Sequence, residues 1–181
     1  MSDRIEAQNV VDKLTRPRST VIMHSHIYMP GLGHYVISLK KKREDAYFVI
    51  KDQKGSRPRI RIRVPICNRA EFLHILGYVT MLADDCENRS YPDNTGTDLD
   101  LYFYSTMDDG NGRSYEFEAF VEKYVRYLRI TYIHKGIYDT LLFNARYLKE
   151  IIRIIQNFDI YHPNRMVAED YCDICHRWAS L

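Results

Sequence analysis

Residues 57–65 read Arg-Pro-Arg-Ile-Arg-Ile-Arg-Val-Pro, with an arginine at every second position from 57 to 63. Because alternate side chains of a β-strand point to opposite faces, this stretch predicts a strand with one basic and one apolar face. The basic face comprises Arg57, Arg59, Arg61 and Arg63, and the apolar face comprises Ile60, Ile62 and Val64. The apolar row suits a core, whereas arginines pair with phosphates and stack on bases. The alternative is the solvated outer face of an antiparallel sheet.

Strand patterns surround this stretch and predict a protein of the α+β class. The first half has strand patterns at 20–28, 34–39, 46–50 and 57–64, followed by a helix. The second half has strand patterns at 99–104, 115–120, 127–132 and 138–143, followed by a helix over 145–158. Asn68 and Glu71 form a capping-box-like start for the first helix. Each half therefore has the order ββββα.

The two halves also resemble each other residue by residue. Tyr35 matches Tyr115 at a spacing of 80 residues, and Phe72 matches Leu148 at a spacing of 76. Internal similarity of this length predicts two copies of one structural unit. The expected division is an N-terminal tail (1–19), repeat 1 (20–85), an acidic linker (86–98), repeat 2 (99–158) and a C-terminal tail (159–181).

Charge is unevenly distributed along the chain. Residues 1–65 carry 14 Lys and Arg against 6 Asp and Glu, and residues 66–120 carry 3 against 11. A basic third beside an acidic third predicts one basic surface, although the formal net charge is only +2. The apolar fraction of 45%, with 15 tyrosines and 7 phenylalanines, is sufficient for a packed core rich in strands.

Several function classes lack their motifs in this sequence. It contains no glycine-rich nucleotide-binding loop, no Gly-x-Ser-x-Gly elbow and no His-Glu-x-x-His pair. We therefore predict a protein that is not an enzyme and needs no cofactor. No apolar stretch approaches the length of a membrane span, and the N-terminus has no secretory pattern. These features predict a nuclear or cytoplasmic protein whose 4 cysteines are reduced.

Two groups of residues have the chemistry of metal ligands. Cys172 and Cys175 form a single Cys-x-x-Cys ten residues after His162, but zinc needs four ligands and usually two such pairs. His24 and His26 share one face of a predicted strand, as in metal-dependent nicking nucleases, although histidines in strands are more often structural. We predict no bound metal at either place.

A family resemblance lies in the hairpin turns and the strands that follow them. Residues 123–130 read Lys-Tyr-Val-Arg-Tyr-Leu-Arg-Ile, which resembles the basic turn and the Arg-aromatic-Leu-basic-Ile strand of the PUR repeat. Residues 40–43 (Lys-Lys-Lys-Arg) and 47–50 (Tyr-Phe-Val-Ile) are similar to the same elements, with Asp45-Ala46 where the family prefers Gly-Arg. The resemblance covers residues 20–158, and Whirly-like proteins share the ββββα architecture.

The resemblance implies two repeats intertwined into one PUR-like or Whirly-like domain. It also implies that twisted sheets bind single-stranded RNA or DNA, that helices form the core, and that some repeats pair into homodimers. Single strands bind to a positive groove lined with aromatic rings, and the arginine strand and the tyrosines have these properties. The candidate nucleic-acid-binding residues are Lys41, Lys42, Arg43, Tyr47, Arg57, Arg59, Arg61, Arg63, Lys123, Arg126 and Arg129.

A second interpretation is a structural adaptor that uses the same fold to dimerise or to hold protein partners in a larger complex. The acidic middle third and the small net charge favour it. The predicted interface residues are Ile151, Ile154 and Ile155 of the second helix. Ile154 lies off the main apolar stripe of this helix, so we expect it to protrude and to contact a second copy or a partner.

Overall fold

The computed structural model describes residues 19–43, 45–53, 60–87 and 100–158. The predictions for Arg57, Arg59, His162, Cys172 and Cys175 lie outside the described residues, as do those for the two tails and most of the linker. The described part of the chain contains eight strands and two α-helices.

Both halves have the same sequence of elements, which confirms the predicted α+β class. Sheet A consists of β1 (Thr20–Met29), β2 (Gly33–Lys42), β3 (Asp45–Asp52) and β4 (Arg61–Pro65), followed by a 3₁₀ turn (Ile66–Asn68) and helix α1 (Arg69–Glu87). Sheet B consists of β5 (Asp100–Asp108), β6 (Arg113–Glu122), β7 (Val125–His134) and β8 (Ile137–Asn144), followed by a 3₁₀ turn (Ala145–Tyr147) and helix α2 (Leu148–Asn157). In each sheet the strands pair with their sequence neighbours, and every pair is antiparallel.

The two halves repeat each other closely. The pairing of β1 with β2 shifts register between Val21 and Met23, and the same irregularity recurs 80 residues later at the start of β5. Helix α1 begins at residue 69 and helix α2 at residue 148, a spacing of 79. The predicted match of Phe72 with Leu148 is therefore wrong by three residues, and Phe72 corresponds to Ile151. Both of these residues are buried.

The inner faces of both sheets and the two helices bury their apolar residues in one cluster. Sheet A contributes Ile27, Met29, Tyr35, Ile37, Leu39, Phe48, Ile50, Ile62 and Val64. Sheet B contributes Met107, Tyr115, Phe117, Ala119, Leu128, Ile130, Tyr132, Leu141 and Phe143. Ile62 and Val64 thus form the predicted apolar face of the arginine strand. Ile60 does not belong to it, because this residue precedes β4 and is 38% exposed.

Helix α1 connects the two sheets through Phe72. The ring of Phe72 packs edge-to-face against Phe48 of sheet A at 5.3 Å and against Phe117 of sheet B at 5.5 Å, measured between ring centroids. Such offset aromatic pairs add about 0.5–1.5 kcal/mol each to the free energy of burial. The two halves therefore share one core.

Helix α2 is buried on more than one side, which corrects the predicted interface. Ile151, Ile154 and Ile155 all belong to the core cluster, and Ile154 is only 8% exposed. The prediction that Ile154 protrudes is wrong, because this residue belongs to the core that both sheets and both helices share, and α2 also packs against α1. These three isoleucines do not form a surface patch.

Two buried tyrosines each donate a hydrogen bond from one half of the protein to the other. The Tyr35 hydroxyl on β2 donates to the backbone carbonyl of Leu142 on β8 at 2.7 Å. The Tyr115 hydroxyl on β6 donates to the backbone carbonyl of Arg63 on β4 at 2.6 Å. Tyr35 and Tyr115 occupy equivalent positions, as do Leu142 and Arg63, so the two bonds are reciprocal. They tie the last strand of each sheet to the opposite half.

We expect Tyr35→Phe and Tyr115→Phe each to lower the free energy of unfolding by about 1–2 kcal/mol, because each removes a largely buried hydrogen bond. Urea denaturation followed by circular dichroism measures this loss. Tyr138→Phe is the matched control, since Tyr138 is 68% exposed and its variant should unfold like the wild type. Equal stability of all three variants would show that the exchanged bonds do not hold the halves together.

The same two tyrosines make the folded protein less stable at alkaline pH. Burial, together with the charge of Asp52, raises the pKa of Tyr35 to about 12. Burial likewise raises the pKa of Tyr115. In the unfolded chain a tyrosine ionises near pH 10, so the contribution of Tyr35 is complete below about pH 10 and is lost as the pH rises towards 12. Between about pH 10 and pH 12, the melting temperature of Tyr35→Phe should consequently fall less steeply than that of the wild type.

Candidate nucleic-acid interface

Each sheet turns a second face away from the shared core, here called its outer face. Because side chains alternate along a strand, the residues between the core positions belong to it. The outer face of sheet A comprises Val21, His24, His26, Tyr28, His34, Val36, Ser38, Lys40, Lys42, Asp45, Tyr47, Val49, Lys51, Arg61, Arg63 and Pro65. The outer face of sheet B comprises Leu101, Tyr104, Thr106, Asp108, Ser114, Glu116, Glu118, Phe120, Glu122, Val125, Tyr127, Arg129, Thr131, Ile133, Tyr138, Thr140, Leu142 and Asn144.

The two outer faces differ in charge although equivalent strands carry them. The outer face of sheet A carries five basic residues, Lys40, Lys42, Lys51, Arg61 and Arg63, and one acidic residue, Asp45. The outer face of sheet B carries one basic residue, Arg129, and four acidic residues, Asp108, Glu116, Glu118 and Glu122. A dipolar charge distribution along the chain thus becomes a basic and an acidic face.

Arg61 and Arg63 lie on the outer face of sheet A, as the alternation of residues 57–65 indicates. Arg61 is exposed. The guanidinium carbon of Arg63 lies 3.7 Å from the centroid of the Tyr47 ring, a cation–π contact. Tyr47 therefore lies beside the arginines, but this residue is only 6% exposed. A base could not stack on Tyr47 unless Arg63 moved.

The predicted basic hairpin loop is mostly strand. Strand β2 continues to Lys42, and the turn is short because Arg43 adopts a positive φ of 56°. Alternation along β2 places Lys41, opposite Ala46, on the core side of the sheet and Lys42, opposite Asp45, on the outer face. Of these three basic residues, Lys42 and Arg43 are exposed.

The basic residues predicted in repeat 2 do not share one face. Lys123 lies in the exposed turn, and Arg126 and Arg129 point to opposite sides of β7. The Arg129 Nε donates to the Glu118 Oε2 at 2.6 Å, and this hydrogen bond raises the pKa of Arg129. Partly exposed ion pairs contribute little to stability, but they neutralise charge. The charge of Arg129 is therefore balanced within sheet B.

A strip of aromatic rings crosses the first hairpin on the outer face of sheet A, where the sequence indicated only that His24 and His26 have the chemistry of metal ligands. His24, His26 and Tyr28 alternate along β1, and all three are exposed. The His24 and His26 rings are 5.4 Å apart, and His26 and His34 are 5.0 Å apart, between centroids. The His26 Nδ1 and the His34 Nε2 lie 3.1 Å apart and form a hydrogen bond. The alternation was visible in the sequence, but the contact with His34 depends on the hairpin register.

Two lysines of this face were also missed. The sequence predicts a turn at Lys40, but this residue lies within β2, opposite Tyr47. Lys51 lies opposite both Val36 and Arg61, so it belongs to the same face as the arginines. The signal that identifies both residues is alternation along their own strands, because Lys40 directly follows the buried Leu39 of β2 and Lys51 directly follows the buried Ile50 of β3.

Other classes of site find no support among the described residues. No three His, Cys, Asp or Glu side chains in this part of the chain converge to hold a metal ion. Neither of the two described helices combines the length and the hydropathy needed to cross a bilayer. No protein-family model and no curated protein matches the chain.

Proposed function

We propose that this chain binds single-stranded RNA or DNA on the outer face of sheet A and catalyses no reaction. The observation that carries the proposal is the charge contrast between two structurally equivalent faces. Sheet B shows that the fold does not require basic residues at these positions, so their concentration on sheet A has a reason other than folding. A polyanion supplies that reason, since its phosphates are attracted to lysines and arginines.

A single strand fits this face better than a duplex does. Proteins read a duplex mostly by inserting a helix or a narrow ribbon into a groove. Unpaired nucleotides instead run along a basic surface while their bases stack on exposed rings. The outer face of sheet A carries basic residues on β2, β3 and β4 and exposed rings on β1. Both requirements of single-strand binding are therefore present on one surface.

The proposal includes the PUR-like arrangement that the sequence resembles, in which two repeats intertwine into one domain. The reciprocal hydrogen bonds of Tyr35 and Tyr115 and the shared core support it. A nuclear or cytoplasmic location belongs to the same proposal, because single-stranded RNA and DNA occur there.

A fluorescence-anisotropy titration with labelled single-stranded homopolymers at two salt concentrations tests this function. Each neutralised phosphate of a single strand contributes roughly 0.7 to the slope of log affinity against log salt. Contacts from Lys40, Lys42, Arg61 and Arg63 should therefore give a slope of about −3. Affinity that is undetectable at low salt would refute the proposal.

Two matched variants localise the binding to one sheet. Arg61→Ser should weaken binding and reduce the salt slope by roughly 0.7, because it removes one exposed phosphate contact. Arg129→Ser removes an arginine from the other outer face, where Glu118 already balances it, and should leave affinity within twofold of the wild type. Equal losses in both variants would place the binding elsewhere than on sheet A.

A protein partner or a second copy remains the alternative, and one feature of sheet B favours it. Leu101 and Tyr104 on β5 are each 55% exposed, next to Phe120 and Tyr127, whose rings pack together at 5.7 Å. Unlike phosphate contacts, an apolar contact of this kind is not weakened by salt. Light scattering that detects a homodimer abolished by Tyr104→Ala, in a chain without affinity for single strands, would support the adaptor function.

A further inference from the structure

The rings on β1 are arranged for a role that the fold itself does not need. Equivalent positions in repeat 2, 80 residues later, hold Tyr104, Thr106 and Asp108 in place of His24, His26 and Tyr28. The corresponding strand pairs in the same way and with the same register shift without a continuous strip of rings. The strip is therefore not required to build the sheet.

The register places these rings and the basic residues on common rows across sheet A. His26 lies opposite Val36, Val36 opposite Lys51, and Lys51 opposite Arg61. The next row runs from His24 through Ser38 and Val49 to Arg63. Each row thus has a ring on β1 and an arginine on β4, and Lys51 on β3 adds a second cation to the first row. Since neighbouring strands are about 4.8 Å apart, the rings and the β4 arginines are separated by roughly 14 Å.

In these two rows the residues between the β1 rings and the cations of β3 and β4 are buried and uncharged, so they separate two chemically distinct borders. Val36, Ser38 and Val49 are 8%, 5% and 4% exposed. A polynucleotide lying along the strands would direct its phosphates towards the arginine border and its bases towards the ring border. Tyr47, the ring that the sequence suggested for stacking, lies beneath Arg63 and does not offer a free face.

We infer that His24, His26, His34 and Tyr28 form the stacking surface for unpaired bases, while the phosphates lie over the basic residues of β2, β3 and β4. This inference rests on the proposed function and assigns the base-contacting residues within it. Stacking on aromatic rings requires an exposed π-face on the ligand, which an unpaired base has and a phosphate backbone lacks. The ring border therefore distinguishes single strands from other polyanions.

The test compares two fluorescent probes of about 12 nucleotides, a length within the usual site size. One probe is oligoadenylate, and the other is an abasic backbone of the same length, which keeps the phosphates but has no bases. Tyr28→Ala combined with His26→Ala should reduce affinity for oligoadenylate at least about fivefold, since each lost stacked base contributes that much or more. Affinity for the abasic probe should change less than twofold.

Three controls make the outcomes distinct. Tyr104→Ala combined with Thr106→Ala alters the equivalent positions of sheet B and should change neither affinity. Tyr28→Ala alone preserves the His26–His34 hydrogen bond and should still weaken oligoadenylate binding selectively. Melting temperatures show that each variant is folded.

Different results would refute the stacking surface and the binding of single strands. If the wild type binds neither probe, both are refuted. If Arg61→Ser weakens binding but the β1 variants bind oligoadenylate like the wild type, only the stacking surface is refuted. Equal losses for both probes in the β1 variants would also overturn it, because the rings would then act on the backbone.

Discussion

Replacing Arg59, Arg61 and Arg63 together by serine is expected to weaken single-strand binding by well over tenfold. Each good contact of this type is worth roughly 1–3 kcal/mol, and each lost phosphate contact lowers the salt slope by roughly 0.7. The core should survive, because Ile62 and Val64, which alternate with the arginines, remain buried on the other face. Anisotropy titrations at two salt concentrations measure both quantities.

The loss of Arg63 has a second effect that must be separated from the loss of binding. Its guanidinium covers the Tyr47 ring, and a partly buried cation–π contact contributes about 1 kcal/mol to stability. Arg63→Lys keeps the charge but not the planar stack, so it should lower the melting temperature slightly while largely retaining the salt slope. Wild-type affinity in a folded triple variant would eliminate the arginine strand as a nucleic-acid contact.

The strands and the repeat could be predicted because they depend on local alternation. Apolar residues at every second position indicate a strand whatever the rest of the fold is. Glycine and charged residues mark the turns between strands. The strand ends were less accurate. Lys40, Lys41 and Lys42 suggested a loop, yet they extend β2, because charged side chains are accommodated at the end of a hairpin where one face meets solvent.

The details of the candidate site depend on which residues meet across strands, and a sequence does not reveal this directly. The ion pair between Glu118 and Arg129 results from their direct pairing across β6 and β7. The contact between His26 and His34 results from the register of the first hairpin. Each pair changes the chemistry of its face, the first by neutralising a predicted contact and the second by extending the row of rings.

The burial of α2 also depends on residues that are distant in the sequence. A single apolar stripe on an amphipathic helix faces the core, and residues off the stripe are expected at the surface. Ile154 lies off the stripe but is buried in the shared core, and α2 also packs against a second helix. Which elements surround a helix is a property of the whole fold, so this error could not be corrected from the sequence of α2.

The strongest effect on stability is expected from Phe72→Ala. Removing a buried phenylalanine typically lowers the free energy of unfolding by about 3–5 kcal/mol, through lost burial and the cavity that remains. Phe72 is fully buried and contacts Phe48 of one sheet and Phe117 of the other. The variant should therefore destabilise both halves at once, and urea denaturation should still show one transition at a much lower midpoint. His74→Ala, at an exposed position of the same helix, should change stability by less than about 0.5 kcal/mol.

The shape of that transition decides whether the halves are one folding unit. If repeat 1 and repeat 2 had separate cores, a cavity at Phe72 would lower the stability of the first and leave the second unchanged, and two transitions would appear. A single transition requires that the loss at Phe72 reach sheet B, which its contact with Phe117 and the exchanged bonds of Tyr35 and Tyr115 make possible. The outer faces would then be held in a fixed relation, with the basic face on one sheet and the acidic face on the other. Two transitions in Phe72→Ala, one at the wild-type midpoint, would contradict this shared core.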